Sequence, residues 1–224
     1  MIQALSGDLQ YDNPATHVFL PFPSLIELPV NRFLWTNKNG VLYFEFMGRT
    51  IFGELTTRTE KENFANALEA LYVYGTSGSG KSHLIAAFVC QLIRMGLRVL
   101  YLPDCYFMLM DPPSAIRKAL IFAFHDTNDL DDVDMFNHQS MLNFMSGKVD
   151  LWIIIDQLNA LEVLGKDDGF NDRKIDVRAM LDRMQPGHHY VFSASANEAS
   201  NHEATFKQKR TDVLTVYGGL SNVS

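Results

Sequence analysis

The sequence predicts an α/β fold built around a parallel β-sheet, and three features support this prediction. From residue 71 onward, short apolar segments typical of strands alternate with longer segments of helical periodicity. The segment Leu151–Ile155 is apolar throughout, as expected of a parallel strand that is covered on both faces. The segment 83–95 is apolar nearly all round, which indicates a helix buried on more than one side. We therefore expect a parallel sheet with helices on both faces.

The remaining elements follow the same alternation. Strands are expected at residues 71–74, 99–102, 151–155 and 190–195, with a last strand at 213–217. Helices are expected at residues 59–70, 83–95, 112–124, 135–145 and 172–184. Before them, residues 1–58 are rich in aromatic residues and proline, and the turn Asn39-Gly40 precedes an apolar strand. We expect an extended lead-in over residues 1–58 that contains a β-hairpin and packs on a second unit, residues 59–224.

Composition and charge narrow the classes of function. The 224 residues and 25.4 kDa fit one large domain, or one domain with a small appendage. The formal net charge of −7 argues against bulk attraction to nucleic acid or to an anionic membrane. No apolar run reaches the roughly 18 residues of a membrane span, and the first residues lack the basic and apolar regions of a signal peptide. We expect no membrane partner and no direct nucleic-acid partner.

A phosphate-binding loop is the strongest signal in the chain. Residues 75–82 match the pattern G-x-x-x-x-G-K-[ST] between a predicted strand and a predicted helix. The glycines allow backbone conformations that side chains forbid, so that the loop can turn its N–H groups toward phosphate oxygens. Lys81 would meet the β- and γ-phosphates, and Ser82 would offer its hydroxyl to Mg²⁺. The expected cofactor-binding residues are Gly75, Thr76, Ser77, Gly78, Ser79, Gly80, Lys81 and Ser82.

Polar residues at the ends of later strands complete the predicted site. Asp156 directly follows the apolar strand, where a carboxylate would hold Mg²⁺ together with Ser82. Gln157 stands where many ATPases of this layout carry a glutamate. Because glutamine is no base at neutral pH, either hydrolysis is slow or another carboxylate, such as Asp104, serves. Asn197, beyond the next strand, could bind the γ-phosphate or the attacking water.

Several roles stay open at this stage. Asp104 and Asn159 could act at the site or serve in turns, and a turn role is favoured for Asp104. No spacing identifies an arginine for the transition state; the candidates are Arg173, Arg178, Arg183 and Arg210. The guanine-recognition pattern N-K-x-D is absent, since Gly40 stands at the position of its aspartate, which favours ATP over GTP as the ligand.

A family resemblance rests on several stretches that occur in order along the chain. They are residues 71–84, 99–105, 155–161 and 193–197, with Phe46–Arg49 upstream and 217–219 near the end. Together they resemble the P-loop NTPase module of Crinkler-type effectors and their relatives in fungi and oomycetes. The run Asp156-Gln157-Leu158-Asn159 is the most specific part of this resemblance. The resemblance implies that a glutamine at the position of Gln157 is a trait of the family.

The resemblance implies an ATPase of the AAA-like branch with a sheet of strand order 5-1-4-3-2. It also implies delivery into host cells and action in the nucleus, although the chain shows neither the targeting header nor the nuclease-like domain of some members. We expect a C-terminally truncated module.

From the loop we expect a Mg²⁺-dependent ATPase, with slow hydrolysis, that couples nucleotide state to a conformational switch. A non-hydrolysing nucleotide-dependent binding module and a small-molecule phosphotransferase are alternatives, and the partner is left open between a second copy and a host protein.

Overall fold

A computed structural model of the chain describes residues 10–27, 33, 35–61, 64, 70–148, 150–163, 169–184, 187–195 and 211–217. The strands are β1 (His17–Pro21), β2 (Trp35–Lys38), β3 (Val41–Met47), β4 (Ala70–Gly75), β5 (Val99–Leu102), β6 (Trp152–Ile155), β7 (His189–Ser195) and β8 (Thr211–Val216). The α-helices are α1 (Thr50–Thr59), α2 (Lys81–Arg94), α3 (Cys105–Met110), α4 (Pro112–Ala123), α5 (His138–Ser146) and α6 (Asn171–Met184).

A five-stranded sheet forms the centre of the molecule. Its strands lie in the order β5-β6-β7-β4-β8, and every neighbouring pair is parallel. If only these five strands are counted, in chain order, β4 is the first and β8 the fifth, and the order from the β8 edge is 5-1-4-3-2. The first strand of the sheet therefore lies between two strands that come much later in the chain, so its carboxyl end is surrounded by distant segments.

Both faces of the sheet are covered, as the apolar strands predict. Alternate residues of β6 enter two separate cores: Ile153 and Ile155 face one, and Trp152 and Ile154 face the other. The first core holds residues of α3, α4, α5 and α6, and the second holds residues of α1, α2 and the lead-in. The α/β prediction with helices on both faces is confirmed.

The lead-in forms a small antiparallel sheet of order β1-β3-β2. The predicted hairpin joins β2 to β3 through Asn39 and Gly40, which have φ angles of 54° and 80°. Leu20, Phe44 and Phe46 of this small sheet are buried in the same core as the residues of α2. The lead-in therefore packs directly on the helix that follows the glycine-rich loop.

The expected helix over residues 59–70 falls mostly on 62, 63 and 65–69, which lie outside the described residues; Thr59 ends α1, Phe64 is helical, and Ala70 belongs to β4. Helix α1 itself was not predicted. The helix buries Phe52, Leu55 and Thr59, which have the i, i+3, i+7 spacing of one helical face. Its four threonines have weak helix propensity, so the sequence of this segment did not indicate a helix. The expected division between residues 58 and 59 falls in the last turn of α1.

Smaller corrections concern element ends and short helices. Helix α5 begins at His138 rather than 135, because the Asn137 side chain accepts hydrogen bonds from the backbone N–H groups of two following residues. Helix α3 and a 3₁₀ helix, Leu158–Leu161, were not predicted, since both are too short to show periodicity. Within the described part of the chain, no helix combines the length and the apolar character that crossing a bilayer requires.

Candidate functional site

The glycine-rich loop joins the carboxyl end of β4 to the start of α2, as the motif predicts. Gly78 and Gly80 have φ angles of 77° and 79°, a left-handed conformation that favours glycine. Gly80 is the residue before the first turn of α2, and no side chain caps this helix end. The N–H groups at the start of α2 are thus left without a side-chain cap, which suits the binding of an anion.

Gly75 is required for a different reason from the other two loop glycines. It lacks the left-handed conformation of the other two loop glycines. A Cβ atom at this position would lie 2.0 Å from the carbonyl oxygen of Val216. The expectation of a special backbone conformation is therefore wrong for Gly75, and close contact with β8 is what excludes a side chain there.

Lys81 is buried beneath the loop and is held by oxygen atoms of the loop. Its Nζ atom donates to the carbonyl oxygens of Gly75 at 2.8 Å and Thr76 at 2.7 Å, and to Oγ of Ser79 at 3.3 Å. Burial lowers the pKa of Lys81, and the negative charge of Asp156 acts in the opposite direction. To contact a bound phosphate, the ammonium group would have to exchange some of these loop oxygens for phosphate oxygens.

Asp156 follows the last residue of β6 and is 1% exposed. Its backbone is fixed by two hydrogen bonds: its N–H donates to the Leu102 carbonyl at 2.9 Å, and its carbonyl accepts from Cys105 at 3.2 Å. Its Oδ1 atom accepts hydrogen bonds from the Ser193 hydroxyl and, at 2.9 Å, from the backbone N–H of Gln157. The carboxylate is therefore held in one orientation at the carboxyl edge of the sheet.

One cavity of about 460 Å³ brings the predicted residues together. Lys81 and Asp156 both line it, so the loop and the end of β6 meet at a single site. The other lining residues come from the loop and α2, from the segment after β6, and from β7: Ser77, Gly78, Gly80, Ser82, His83, Gln157, Asn159, Ser193, Ala194 and Ser195. Cavities of this size are typical of small-molecule sites.

Gln157 and Asn159, in the segment after β6, also line the cavity. Gln157 has a φ of 62°, which is unusual for a residue with a side chain and turns the chain sharply away from β6. Asn159 accepts a hydrogen bond from the backbone N–H of Ser195 at 3.2 Å, so it ties the 3₁₀ helix to the end of β7. Asn159 thus has a structural role and also lines the cavity.

The other candidate residues have different positions. Asp104 caps helix α3, since its Oδ1 atom accepts a hydrogen bond from the backbone N–H of Tyr106 at 2.8 Å. Asn197 and Arg210 lie outside the described residues. None of the three arginines of α6 is among the residues that line the cavity: Arg173, which donates to the Met110 carbonyl, Arg178 and Arg183.

Two residues near the site were missed as functional candidates. Arg49 donates to the Ser79 carbonyl oxygen at 2.6 Å and so contacts the loop from outside. Ser193 contacts the Asp156 carboxylate. Both contacts join segments that are far apart in the sequence, and neither residue has a spacing that indicates its partner. Arg49 belongs to the stretch Phe46–Arg49 that carries the family resemblance, and nothing in that stretch indicates its role.

The oxygen atoms at the site fit a hard divalent cation such as Mg²⁺. Ser82 supplies a hydroxyl and Asp156 a carboxylate, both on the wall of the cavity. Across the part of the chain that the structure describes, no cluster of three or more His, Cys, Asp or Glu side chains could hold a metal ion. Mg²⁺ differs from most protein-bound metals here, because it is commonly held by one or two protein groups together with substrate phosphates.

Comparisons with known proteins add little to this geometry. No protein-family model matches the chain, and no curated protein matches it. Among solved structures, the chain is similar to C. elegans PCH-2, with a TM-score of 0.33 and 13% sequence identity. The match covers 73% of this chain and 40% of that one, so the chain spans less than half the length of that protein. A similarity this low carries no argument about function.

Proposed function

We propose that this chain binds ATP together with Mg²⁺ at the cavity between the glycine-rich loop and Asp156, and that it hydrolyses ATP slowly. The observation that supports this proposal is that Lys81 and Asp156, 75 residues apart in the sequence, line the same cavity. A cation and a carboxylate that line one cavity suit a polyphosphate that carries a metal ion. No other pair of predicted residues has this arrangement among those described.

Each residue of the site would have a distinct task. The backbone N–H groups from residue 77 to the start of α2 would bind phosphate oxygens, and Lys81 would neutralise phosphate charge. Ser82 and Asp156 would hold Mg²⁺, which when bound supplies positive charge to the β- and γ-phosphate oxygens. Gln157 would orient a water by hydrogen bonds, and a contact of Asn197 with the γ-phosphate or with the attacking water stays a prediction.

A second candidate function is nucleotide-dependent binding without appreciable hydrolysis. It is favoured by one observation: the residue that lines the cavity directly after Asp156 is Gln157, whose side-chain amide cannot take a proton from water. In this case ATP would act as a ligand that stabilises one conformation. The two candidates share the binding site and differ only in turnover.

The wider biological role rests on the sequence resemblance alone. We propose, on the stretches that resemble Crinkler-type proteins, that the chain is the NTPase module of such an effector and couples nucleotide state to a conformational change. Under this proposal the partner is a second copy of the chain or a host protein. Delivery into a host and action in its nucleus belong to the same proposal.

Titration calorimetry with ATP, ADP and GTP, each with and without Mg²⁺, tests the binding proposal. We expect ATP to bind more tightly with Mg²⁺ than without it, Lys81→Ala to lose ATP binding, and Asp156→Ala to lose the Mg²⁺ effect. Lys118→Ala on α4 is a matched control. The ammonium group of Lys118 lies over the ring of Phe107, and Lys118 is not among the residues that line the cavity. Full ATP affinity in the Lys81 variant would overturn the proposal.

Steady-state phosphate release then separates hydrolysis from binding alone. Turnover that disappears in Asp156→Ala supports the ATPase, whereas binding without turnover supports the second candidate. Incubation of labelled ATP with nucleosides and sugars tests the phosphotransferase alternative. A labelled acceptor product would favour that alternative over hydrolysis.

A further inference from the structure

Ser193 lies in the middle of β7, beside the carboxylate that is proposed to hold the metal ion. Strands β6 and β7 are parallel, and Ile155 is paired with Phe192. Asp156 directly follows Ile155 and Ser193 directly follows Phe192, so the register of the two strands places these two residues side by side. Both are 1% exposed. Their contact is therefore made inside the protein, where water competes little for it.

The hydroxyl of Ser193 donates a hydrogen bond to Oδ1 of Asp156. The backbone N–H of Gln157 donates to the same oxygen atom at 2.9 Å, and it lies 3.5 Å from the Ser193 hydroxyl. Two donors from two directions thus converge on one carboxylate oxygen. A carboxylate that is fixed through Oδ1 also has the direction of Oδ2 fixed, because the group is planar.

The left-handed conformation of Gln157 is part of this arrangement. Its N–H group donates to the carboxylate of the preceding residue, and its φ of 62° sets the direction in which the chain leaves the site. Such a conformation costs about 1 kcal/mol or more for a residue with a side chain. It persists here beside the hydrogen bond from Ser193, so the backbone and the serine hydroxyl hold the carboxylate together.

We infer that Ser193 is a positioning residue for Asp156: it orients the carboxylate toward the cavity and thereby sets the affinity for Mg²⁺. This inference rests on the proposed function, since it assumes that Asp156 holds the metal ion. Residues that hydrogen-bond to metal ligands commonly change metal affinity by about ten- to a hundredfold when they are removed. Ser193 is neither a metal ligand nor a catalytic residue in this scheme.

The test measures ATP affinity by calorimetry over a range of Mg²⁺ concentrations, for the whole chain and three variants. In Ser193→Ala we expect the Mg²⁺ concentration at half effect to rise about tenfold, while the metal-free affinity for ATP changes less than about twofold. Ser193→Thr keeps the hydroxyl and should restore the Mg²⁺ dependence to within about threefold. Asp156→Asn should lose the Mg²⁺ effect altogether.

Thermal unfolding checks that each variant is folded. If Ser193→Thr is too large for its buried position, Ser193→Cys replaces it, since the thiol is a weaker donor and should give an intermediate Mg²⁺ dependence. An unchanged Mg²⁺ dependence in Ser193→Ala, together with its loss in Asp156→Asn, would overturn the inference and leave the proposed function intact. An unchanged dependence in both variants would overturn both.

Discussion

Arg49 donates a 2.6 Å hydrogen bond to the carbonyl oxygen of Ser79, in the middle of the glycine-rich loop. Arg49 directly precedes α1 and follows the small antiparallel sheet, so this contact joins the lead-in to the proposed phosphate site. Its guanidinium group also lies beside Gly80, where a Cβ atom would be 2.8 Å from Nη1. The lead-in therefore supports the loop directly.

Replacement of Arg49 by alanine should loosen the loop. Loss of a hydrogen bond from a charged donor should lower the free energy of unfolding by about 1 to 2 kcal/mol. It should also weaken ATP binding by about three- to tenfold, which corresponds to about 1 kcal/mol. Urea unfolding and calorimetry measure the two effects. Arg117→Ala, where the native guanidinium lies over the exposed ring of Phe136, is the control and should change neither.

Lys81 should make the stability of the ligand-free protein depend on pH. Its pKa is lowered in the folded protein from the ordinary value of 10.5, chiefly by burial. Between the lowered pKa and 10.5, the unfolded chain binds more protons than the folded one, so stability rises with pH in this window. Below the lowered pKa, Lys81 is protonated in both states and the full cost of burying its charge is present.

The pH effect can be isolated by comparison with Lys81→Met, which cannot titrate at this position. We expect the free energy of unfolding of the wild type, minus that of the variant, to be flat near neutral pH. It should then increase as the pH approaches the ordinary lysine value. Urea unfolding of both proteins at a series of pH values gives this difference, and a difference that falls with rising pH would contradict the burial of a charged Lys81.

Gln157 is expected to limit the rate of ATP hydrolysis. In Gln157→Glu, a carboxylate of nearly the same size would occupy the cavity wall and could accept a proton from water. We expect phosphate release to increase by about tenfold or more, since general bases contribute about 10² to 10⁴ to a rate. Gln157→Ala serves as the control and should not increase the rate. An equal rate in all three proteins would show that this side chain does not act on the attacking water.

Gly75 should tolerate no side chain. A Cβ atom at 2.0 Å from the Val216 carbonyl would force β4 and β8 apart. We expect Gly75→Ala to lower the free energy of unfolding by about 2 to 3 kcal/mol, as overpacked buried sites do. In Gly147→Ala the added atom would meet nothing closer than 3.5 Å. That variant should stay within about 0.5 kcal/mol of the wild type, as surface substitutions usually do. Thermal or urea unfolding of both variants decides the comparison.

The parts of the fold that were predictable depend on neighbouring residues. Apolar runs predicted β5, β6 and β7, and the all-round apolar pattern predicted α2. Burial on both sides makes every residue of a short segment apolar, so the pattern is visible within a few residues. Helix α1 was not predicted, since its threonines obscure the periodicity of Phe52 and Leu55. Helix α3 is a single short turn-like segment, and no pattern of six residues could reveal it.

What the sequence by itself determined is the glycine-rich loop, the α/β class and the acidic residue at the end of a buried strand. These are properties of short segments, and their physical basis is local. Only the tertiary structure decided that Ser193 lies against Asp156, that Arg49 holds Ser79, and that β8 crowds Gly75. Those contacts join residues 37, 30 and more than 100 positions apart, so they depend on strand order and register rather than on any local pattern.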